Sequence, residues 1–364
     1  LGDVYKRQPY NYRNKVQAVF RSDRNGRIIS GVYQSSRNGI VGIDSCMLDD
    51  KRADEIIVGI RDLLRSFKLH PYDEGTERGF LRHVLVRVGK NTGEILVTLV
   101  GGNSMFPKKH DFVKALVKRF PDITTVTFSV NRTPEMLLLG ENNEVLYGEG
   151  YITDILCGKR FRISPHSFYQ INHAQTEKLY DYAIKSAKLT KKDVLLDAYS
   201  GIGTIGIIAS DYVKQVQGIE YNASAVRDAV KNCHENGLTR NIAFNRGDAG
   251  EFLEKKAKLG THYDAVILDP ARTGADRKFL NSLVKIAPER IVYISCNPAT
   301  LARDCRMLAD MGYCLEKIQP VDMFPWTYHV ETVCLLSKHN AKQHIEVGLN
   351  LDELDLTNVE KTAT

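Results

Sequence analysis

The sequence lacks any apolar run near the ~18 residues that a membrane span requires, and its first residues lack the pattern of a signal peptide. It contains one tryptophan and seven cysteines. An odd number of cysteines without regular spacing argues against a disulfide framework and fits free thiols in a reducing compartment. We therefore expect a cytoplasmic protein that makes no membrane contact and has cysteines available for chemistry.

The chain has the size and composition of a folded protein with more than one domain. Its 364 residues exceed a typical domain of roughly 100–200 residues. Hydrophobic residues make up 43% of the chain and charged residues 26%, so each domain can bury its own core. The net charge of +6 suits a polyanionic partner, although basic charge alone does not identify one.

The two halves of the chain differ in pattern. In the N-terminal half, apolar runs at residues 81–88 and 94–100 flank a hairpin signal at residues 90–93. Farther along, short apolar runs alternate with helical periodicity, at residues 194–199, 216–221, 242–248, 265–269 and 290–296. This alternation predicts a mostly parallel sheet covered by helices. The runs at residues 314–323 and 331–338 are too close for a parallel crossover, so we expect an antiparallel pair.

The expected fold class is α/β, a Rossmann-like domain with a preceding α+β central domain. We divide the chain into a non-native or disordered start at residues 1–9 and a central α+β domain at residues 10–188. The Rossmann-like domain follows at residues 189–339. A polar tail occupies residues 340–364, for which truncation is one interpretation.

A glycine-rich loop at residues 197–206 follows the first of the regular strands, and Glu220 ends the next strand. The glycines let a ligand approach the backbone, and an acid at this place accepts ribose hydroxyls. The pattern satisfies the dinucleotide fingerprint, so a nicotinamide-dependent oxidoreductase and an S-adenosylmethionine-dependent methyltransferase are both candidates. Asp197 favours the methyltransferase, because a carboxylate before the glycines suits a sulfonium and an ammonium group better than a pyrophosphate.

Three further residues with reactive side chains lie at the end or at the start of a predicted strand. Cys296 follows a predicted strand, Asp269 ends the preceding one, and Glu331 begins the last one. Because open α/β sheets bind ligands at the carboxyl ends of their strands, these side chains are expected at one edge. A thiol there is a candidate nucleophile and a nearby carboxylate a candidate base.

The sequence at residues 295–304, Ser-Cys-Asn-Pro-Ala-Thr-Leu-Ala-Arg-Asp, resembles the RumA/TrmA family of RNA uracil-5-methyltransferases. The resemblance extends through Phe-Pro at residues 324–325, His-Val-Glu at 329–331, Asp-Pro-Ala-Arg at 269–272 and Phe-Tyr-Gln-Ile-Asn at 168–172. It implies a class I methyltransferase domain and S-adenosyl-L-methionine as cofactor. It also excludes the nicotinamide-dependent oxidoreductase as a candidate function.

The resemblance also implies roles for individual residues. Cys296 becomes the covalent nucleophile that adds to carbon 6 of uracil, and Glu331 the acceptor of the carbon 5 proton. The implied cofactor contacts are Gln170, Tyr199, Thr204, Glu220, Asp248 and Asp269. No metal is implied. Many members carry a four-cysteine iron–sulfur site, but only Cys46 matches it here, so we expect no cluster.

The implied partner is RNA. The continuation after Cys296 is more similar to the RumA/RlmD-like branch, which points to 23S rRNA, 5-methyluridine formation and rRNA processing. The alternatives are the T-loop uridine of tRNA and an inactive RNA-binding fragment. Aromatic side chains are candidates for stacking on a flipped base, namely Phe168, Tyr169, Phe324 and Trp326. Arg272 and Arg303 are candidates for phosphate binding.

Overall fold

The computed structural model describes residues 9–34, 39–132, 139–140, 143–338 and 346–347. The chain divides into two compact units, of which the first comprises Leu1–Ala174 and Arg227–Gly237 and the second Gln175–Val226 and Leu238–Thr364. The expectations for the start at residues 1–9 and the tail at 340–364 lie outside the described residues, apart from residues 9, 346 and 347. The domain boundary after residue 188 stays a prediction.

The first unit is built on a seven-stranded sheet with strand order β3-β2-β1-β4-β5-β6-β7. Its strands are β1 Lys15–Ser22, β2 Ile28–Tyr33, β3 Ile40–Gly42, β4 Leu81–Val88, β5 Ile95–Gly101, β6 Ile123–Val130 and β7 Asn143–Tyr147. Strands β4 and β5 pair in an antiparallel hairpin, as predicted from the turn between them. A separate hairpin joins β8 Ile152–Leu156 and β9 Lys159–Ile163.

Two helices, α1 Lys51–Phe67 and α2 Lys109–Arg119, share a hydrophobic core with one face of this sheet. Helix α1 begins where the Asp50 carboxylate accepts a hydrogen bond from the backbone N–H of Arg52. Its buried apolar residues recur at three- and four-residue spacing, which is the pattern of a helix that buries one stripe.

The second unit contains an eight-stranded sheet with order β12-β11-β10-β13-β14-β16-β15-β17. Its strands are β10 Val194–Ala198, β11 Gln215–Glu220, β12 Ile242–Arg246, β13 Ala265–Leu268, β14 Arg290–Ser295, β15 Tyr313–Val321, β16 Glu331–Lys338 and β17 Glu346–Val347. The first five strands in this order are parallel neighbours, whereas β16 is antiparallel to both β14 and β15. The predicted parallel sheet and its final antiparallel pair are therefore confirmed.

Helices alternate with these strands in the chain. They are α3 His173–Ser186, α4 Thr204–Ala209, α5 Ala223–Glu235, α6 Ala249–Lys258, α7 Arg277–Ile286 and α8 Pro298–Asp310. Strand β10 has β11 on one side and β13 on the other. The order in which successive strands are added across the sheet therefore reverses at β10. A crevice at the carboxyl ends of the strands beside such a reversal is the usual ligand site of an open α/β sheet.

None of the helices in the described part of the chain is long and apolar enough to cross a membrane. The short strand β17 was not predicted, because it lies in a stretch whose polar composition gives no strand signal.

Candidate active site

The glycine loop leaves β10 through a sharp turn. Tyr199 has a φ of 63°, Gly201 a φ of 54° and Gly203 a φ of 83°. A side-chain carbon added at Gly201 would meet no atom within 4 Å, so the loop is open at this position. The loop therefore presents accessible backbone beside the first turn of α4, where a ligand can approach closely.

Asp197 is the acidic group at the base of this loop. Its side chain is 1% exposed, and its Oδ2 accepts a hydrogen bond of 2.8 Å from the backbone N–H of Gly206. Its Oδ1 and the buried Ser200 Oγ have no hydrogen-bond partner within the described residues. Burial, together with Asp269 and Glu220, raises the pKa of Asp197 to about 8. Two buried oxygens are thus left for a ligand to satisfy.

Glu220 closes the other side of the loop. Its Oε2 accepts a hydrogen bond of 3.0 Å from Gly201 N–H, and its Oε1 accepts one of 2.7 Å from Asn222 N–H. The carboxylate is thereby fixed at the end of β11 and hydrogen-bonded to the glycine loop. Thr204 begins α4, and its hydroxyl lies 3.3 Å from that of Tyr180.

Two further predicted cofactor residues lie at neighbouring strand ends. The Tyr199 ring packs on Phe279 with 5.3 Å between ring centroids, and burial raises the pKa of its hydroxyl. Asp248 follows β12 and accepts a hydrogen bond of 2.9 Å from Glu251 N–H, so it caps helix α6. One carboxylate oxygen of Asp248 therefore has a structural partner, and the role of this residue toward a cofactor stays a prediction.

Cys296 lies in the turn between β14 and α8. Asn297 caps α8 by accepting a hydrogen bond of 3.1 Å from Ala299 N–H, and its Nδ2 donates to the carbonyl of Arg272 at 3.0 Å. The turn is thus tied to the loop that follows β13. The Cys296 thiol is half-buried. Burial, Glu331 and Asp269 raise its pKa, whereas Arg272 lowers it.

Glu331 faces this turn from the next strand of the sheet. Ser295 pairs with Thr332 across β14 and β16, so the following residue, Cys296, lies beside Glu331. Glu331 is 3% exposed. Burial and Asp269 raise its pKa to about 8, and Arg272 opposes the rise. The sheet register thus brings the two predicted catalytic residues together.

Asp269 and Arg272 complete the group. Burial raises the pKa of Asp269 to about 7. The guanidinium of Arg272 lies 2.9 Å from Nδ1 and 3.2 Å from Nε2 of His329, in the loop before Glu331. A positive charge therefore acts on Cys296 and Glu331, whose ionised forms are both anions.

The loop carrying Arg272 is held by a buried carboxylate. Asp304 is fully buried and accepts hydrogen bonds from the Tyr293 hydroxyl at 2.7 Å and from Ala275 N–H at 2.9 Å. Arg303 donates to Asp304 at 2.8 Å and to the Thr273 carbonyl at 2.9 Å. Arg303, predicted to bind phosphate, therefore braces this loop.

The aromatic candidates differ in exposure. In the second unit Trp326 is 69% exposed, and Phe324 packs edge-on against His329 with 6.2 Å between centroids. In the first unit Phe168 is 67% exposed. Tyr169 is 6% exposed and its hydroxyl donates to Asp154 at 3.4 Å. The prediction that Tyr169 stacks on a base is therefore wrong, because its ring belongs to the core.

Gln170 also belongs to the first unit, where it is 7% exposed and its carbonyl accepts a hydrogen bond of 2.9 Å from Asn14 Nδ2. Its predicted contact with the cofactor stays a prediction. Cys46 is half-buried in the same unit, and its Sγ accepts a hydrogen bond from Leu48 N–H at 3.4 Å. Within the described residues, His, Cys, Asp and Glu form no group that could hold a metal ion.

The contact of His329 with Arg272 and the bracing role of Asp304 were not predicted. Both residues occur in the motifs used above, but nothing in their spacing indicates which side chain each contacts. Only the folded sheet brings Arg272 and His329, 57 residues apart in sequence, to one edge.

Comparisons with known proteins show which family this chain is similar to. Residues 140–339 match the family described as tRNA (uracil-5-)-methyltransferase. An uncharacterized RNA methyltransferase of Halalkalibacterium halodurans is 40% identical over 92% of this chain and 72% of its own length. Another, from Caldanaerobacter subterraneus, is 41% identical over 91% of this chain and 73% of its own length.

Among solved structures, the chain resembles the Pyrococcus abyssi tRNA (uracil-54, C5)-methyltransferase in complex with S-adenosyl-L-homocysteine. The two share 29% identity and a TM-score of 0.74, over 90% of this chain and 76% of that one. The Rossmann-like sheet, its glycine loop and these matches define an S-adenosylmethionine-dependent RNA methyltransferase. Within that class, the chain belongs to the tRNA (uracil-5-)-methyltransferase family.

Proposed function

We propose that this protein methylates carbon 5 of a uridine in 23S rRNA, forming 5-methyluridine through a covalent adduct with Cys296. The observation that carries the proposal is the position of Cys296 beside Glu331, with Asp269 and Arg272 acting on both. This group lies at the same edge of the sheet as the glycine loop. The proposed methylation would be a step of rRNA processing in the cytoplasm.

The residues of the loop fit S-adenosyl-L-methionine. Glu220 would accept the ribose hydroxyls, and the unpartnered Asp197 Oδ1 would accept a hydrogen bond from the ammonium group. Tyr199, Thr204, Asp248, Asp269 and Gln170 complete the proposed set of contacts. When bound, the cofactor supplies an electrophilic methyl group. A cation near Asp197 and Asp269 also favours their ionised forms, which burial alone disfavours.

Cys296 would begin the reaction. Carbon 5 of uracil is a weak nucleophile until a thiolate adds to carbon 6, which moves an electron pair into an enolate with density on carbon 5. The resting thiol has a raised pKa, so a proton acceptor and a cation are required to obtain the thiolate. Glu331 and Asp269 are the nearby carboxylates, and Arg272 is the nearby cation.

Glu331 would complete the reaction. After carbon 5 takes the methyl group, Glu331 accepts the proton from carbon 5, the bond between Cys296 sulfur and carbon 6 breaks, and the ring double bond returns. A buried carboxyl whose pKa is about 8 is a stronger base than a solvated one. The raised pKa thus suits removal of a carbon-bound proton, provided that Glu331 is ionised at that step.

A base inside a helix cannot reach Cys296, so the target uridine would lie in a loop or be flipped out of its helix. The exposed rings of Trp326 and Phe168 are the proposed stacking groups. The Phe324 ring packs edge-on against His329. We also infer that residues 10–188 form the RNA-facing domain and residues 189–339 the catalytic domain.

A second candidate substrate is the T-loop uridine of tRNA. It is favoured by the similarity to the Pyrococcus abyssi enzyme, whose description specifies uracil-54 of tRNA. A non-catalytic RNA-binding role is the third candidate, but it does not explain why Cys296 and Glu331 lie beside each other.

Methyl transfer from labelled S-adenosylmethionine to 23S rRNA transcripts and to tRNA transcripts would test the proposal. We expect label in 5-methyluridine of the rRNA alone. Label confined to tRNA would support the second candidate, and the absence of label from both substrates would contradict the proposed activity.

A further inference from the structure

Two basic side chains lie directly opposite each other in the sheet of the first unit. Lys15 of β1 pairs with Arg87 of β4 in the antiparallel ladder. Directly opposed residues project from the same face with Cβ atoms about 4.5–5.5 Å apart, and like charges there destabilise the pair. Arg87 is 4% exposed, so its charge is not screened well by water. The pair therefore concentrates positive charge on one face of the sheet.

Neither cation has a carboxylate partner within the described residues. Arg87 donates through Nη2 to the carbonyls of Ser167 and of Pro165, and its Nε has no partner. The Lys15 ammonium forms no hydrogen bond or ion pair with any described residue. Burial and the charge of Arg87 lower the pKa of the Lys15 ammonium to about 8. The positive charge of the pair is therefore not compensated by any described carboxylate.

The nearby acid, Asp228, does not pair with either cation. Asp228 accepts hydrogen bonds from the hydroxyls of Ser164 at 2.9 Å and Ser167 at 3.0 Å. It therefore holds the turn at residues 164–167 from one side, while Arg87 holds it from the other. His166 in this turn has a pKa lowered by burial and by Arg87. It supplies no negative charge, because an imidazole is either neutral or positively charged.

The basic pair is connected to a segment with a proposed RNA contact. Asn14, next to Lys15, donates from Nδ2 to the Gln170 carbonyl and from its backbone N–H to the Ile171 carbonyl, each at 2.9 Å. Phe168, which is 67% exposed, lies between this tether and the turn that Arg87 holds. Sites for single-stranded nucleic acid combine such an exposed ring with a nearby positive charge.

We propose that Lys15, with the buried charge of Arg87 behind it, binds a backbone phosphate of the RNA beside the nucleotide that stacks on Phe168. This inference rests on the proposed function, because it needs RNA as the substrate. A phosphate bound there would compensate the charge of both cations and relieve the repulsion between them.

Lys15→Met separates this role from a structural one. It removes the charge and keeps an apolar side chain, so the repulsion with Arg87 disappears and the melting temperature should stay the same or rise. Binding of fluorescently labelled oligouridine should weaken at low salt. The slope of log affinity against log salt should decrease by about 0.7, the value for one phosphate contact on a single strand. Lys15→Arg should keep the slope and Lys15→Gln should behave as Lys15→Met.

Lys118→Gln in α2 is the matched control, because it removes an exposed charge from the same unit. It should leave the slope unchanged, and S-adenosylhomocysteine affinity should not change in any variant. A fall in melting temperature with Lys15→Met and Lys15→Gln would show a structural role and overturn the proposal. A loss of S-adenosylhomocysteine affinity instead of RNA affinity would assign Lys15 to the cofactor and also overturn it.

The failure of this proposal can be distinguished from failure of the proposed function. If the wild-type protein methylates RNA and the Lys15→Met slope equals that of the wild type, only the phosphate site is wrong. If the wild-type protein neither methylates RNA nor binds oligouridine in a salt-dependent way, both are wrong.

Discussion

Arg272→Met should move the pH dependence of methyl transfer toward higher pH. Arg272 is the one cation found to lower the pKa of both Cys296 and Glu331 in the described residues. In the proposed mechanism the ionised form of Glu331 removes the proton, so its pKa of about 8 in the free protein places the expected rising limb of activity near that pH. Without the guanidinium both pKa values rise, so the limb moves in the alkaline direction.

The size of this shift follows from the exposure of Arg272, whose side chain lies at the surface. An exposed charge pair contributes about 0.2–1 kcal/mol, and about 1.36 kcal/mol corresponds to one pKa unit. We therefore expect a shift of about 0.1–0.7 pH unit for each acid. The contact with His329 is lost in the same variant, so Arg272→Lys, which retains the charge, separates charge from geometry.

The measurement is kcat/KM for methyl transfer as a function of pH, with S-adenosylhomocysteine affinity as a check on the fold. Arg306→Met, which removes an exposed arginine from α8, is the control and should leave the profile unchanged. A profile that moves to lower pH, or that loses activity equally at every pH, would refute the electrostatic role of Arg272.

Two predictions concern the packing that supports the site. Asp304→Ala should destabilise the protein by about 1–3 kcal/mol for each buried donor left unsatisfied, and the Tyr293 hydroxyl is one such donor. Chemical denaturation measures the change in the free energy of unfolding. A loss of stability no larger than that of Asp310→Ala, at the surface of the same helix, would contradict this prediction. Gly206→Ala should impair S-adenosylhomocysteine binding, because the added carbon would lie 2.8 Å from Oδ2 of Asp197; unchanged affinity by calorimetry would show that the loop adapts.

The fold of the second unit could be predicted because its strands are short apolar runs separated by helical periodicity. The hairpin of the first unit could be predicted for a similar reason, since its turn residues interrupt two apolar runs. The strand ends then located Asp269 and Cys296 at one edge. These inferences depend on hydrophobic periodicity, which is a local property of the sequence, and on the general geometry of parallel sheets.

Side-chain partners could not be predicted in the same way. Tyr169 and Phe168 are adjacent aromatic residues in one motif, yet only Phe168 is exposed. Arg303 donates to Asp304 and to a loop carbonyl, contacts that the motif did not indicate, and its expected contact with phosphate stays a prediction. Such differences depend on contacts between distant elements, on which the pattern of the motif carries no information.

The covalent role of Cys296 is tested most directly by comparing two variants on a denaturing gel after incubation with RNA and a labelled methyl donor. Glu331→Gln should still add its thiolate and accept the methyl group on carbon 5 but stall at proton removal, which leaves labelled RNA attached to the protein as a slow-migrating band. Cys296→Ala should give no band and no methylated RNA, while it keeps its fold and its affinity for S-adenosylhomocysteine. A folded Cys296→Ala protein that still methylates uridine would contradict the covalent mechanism.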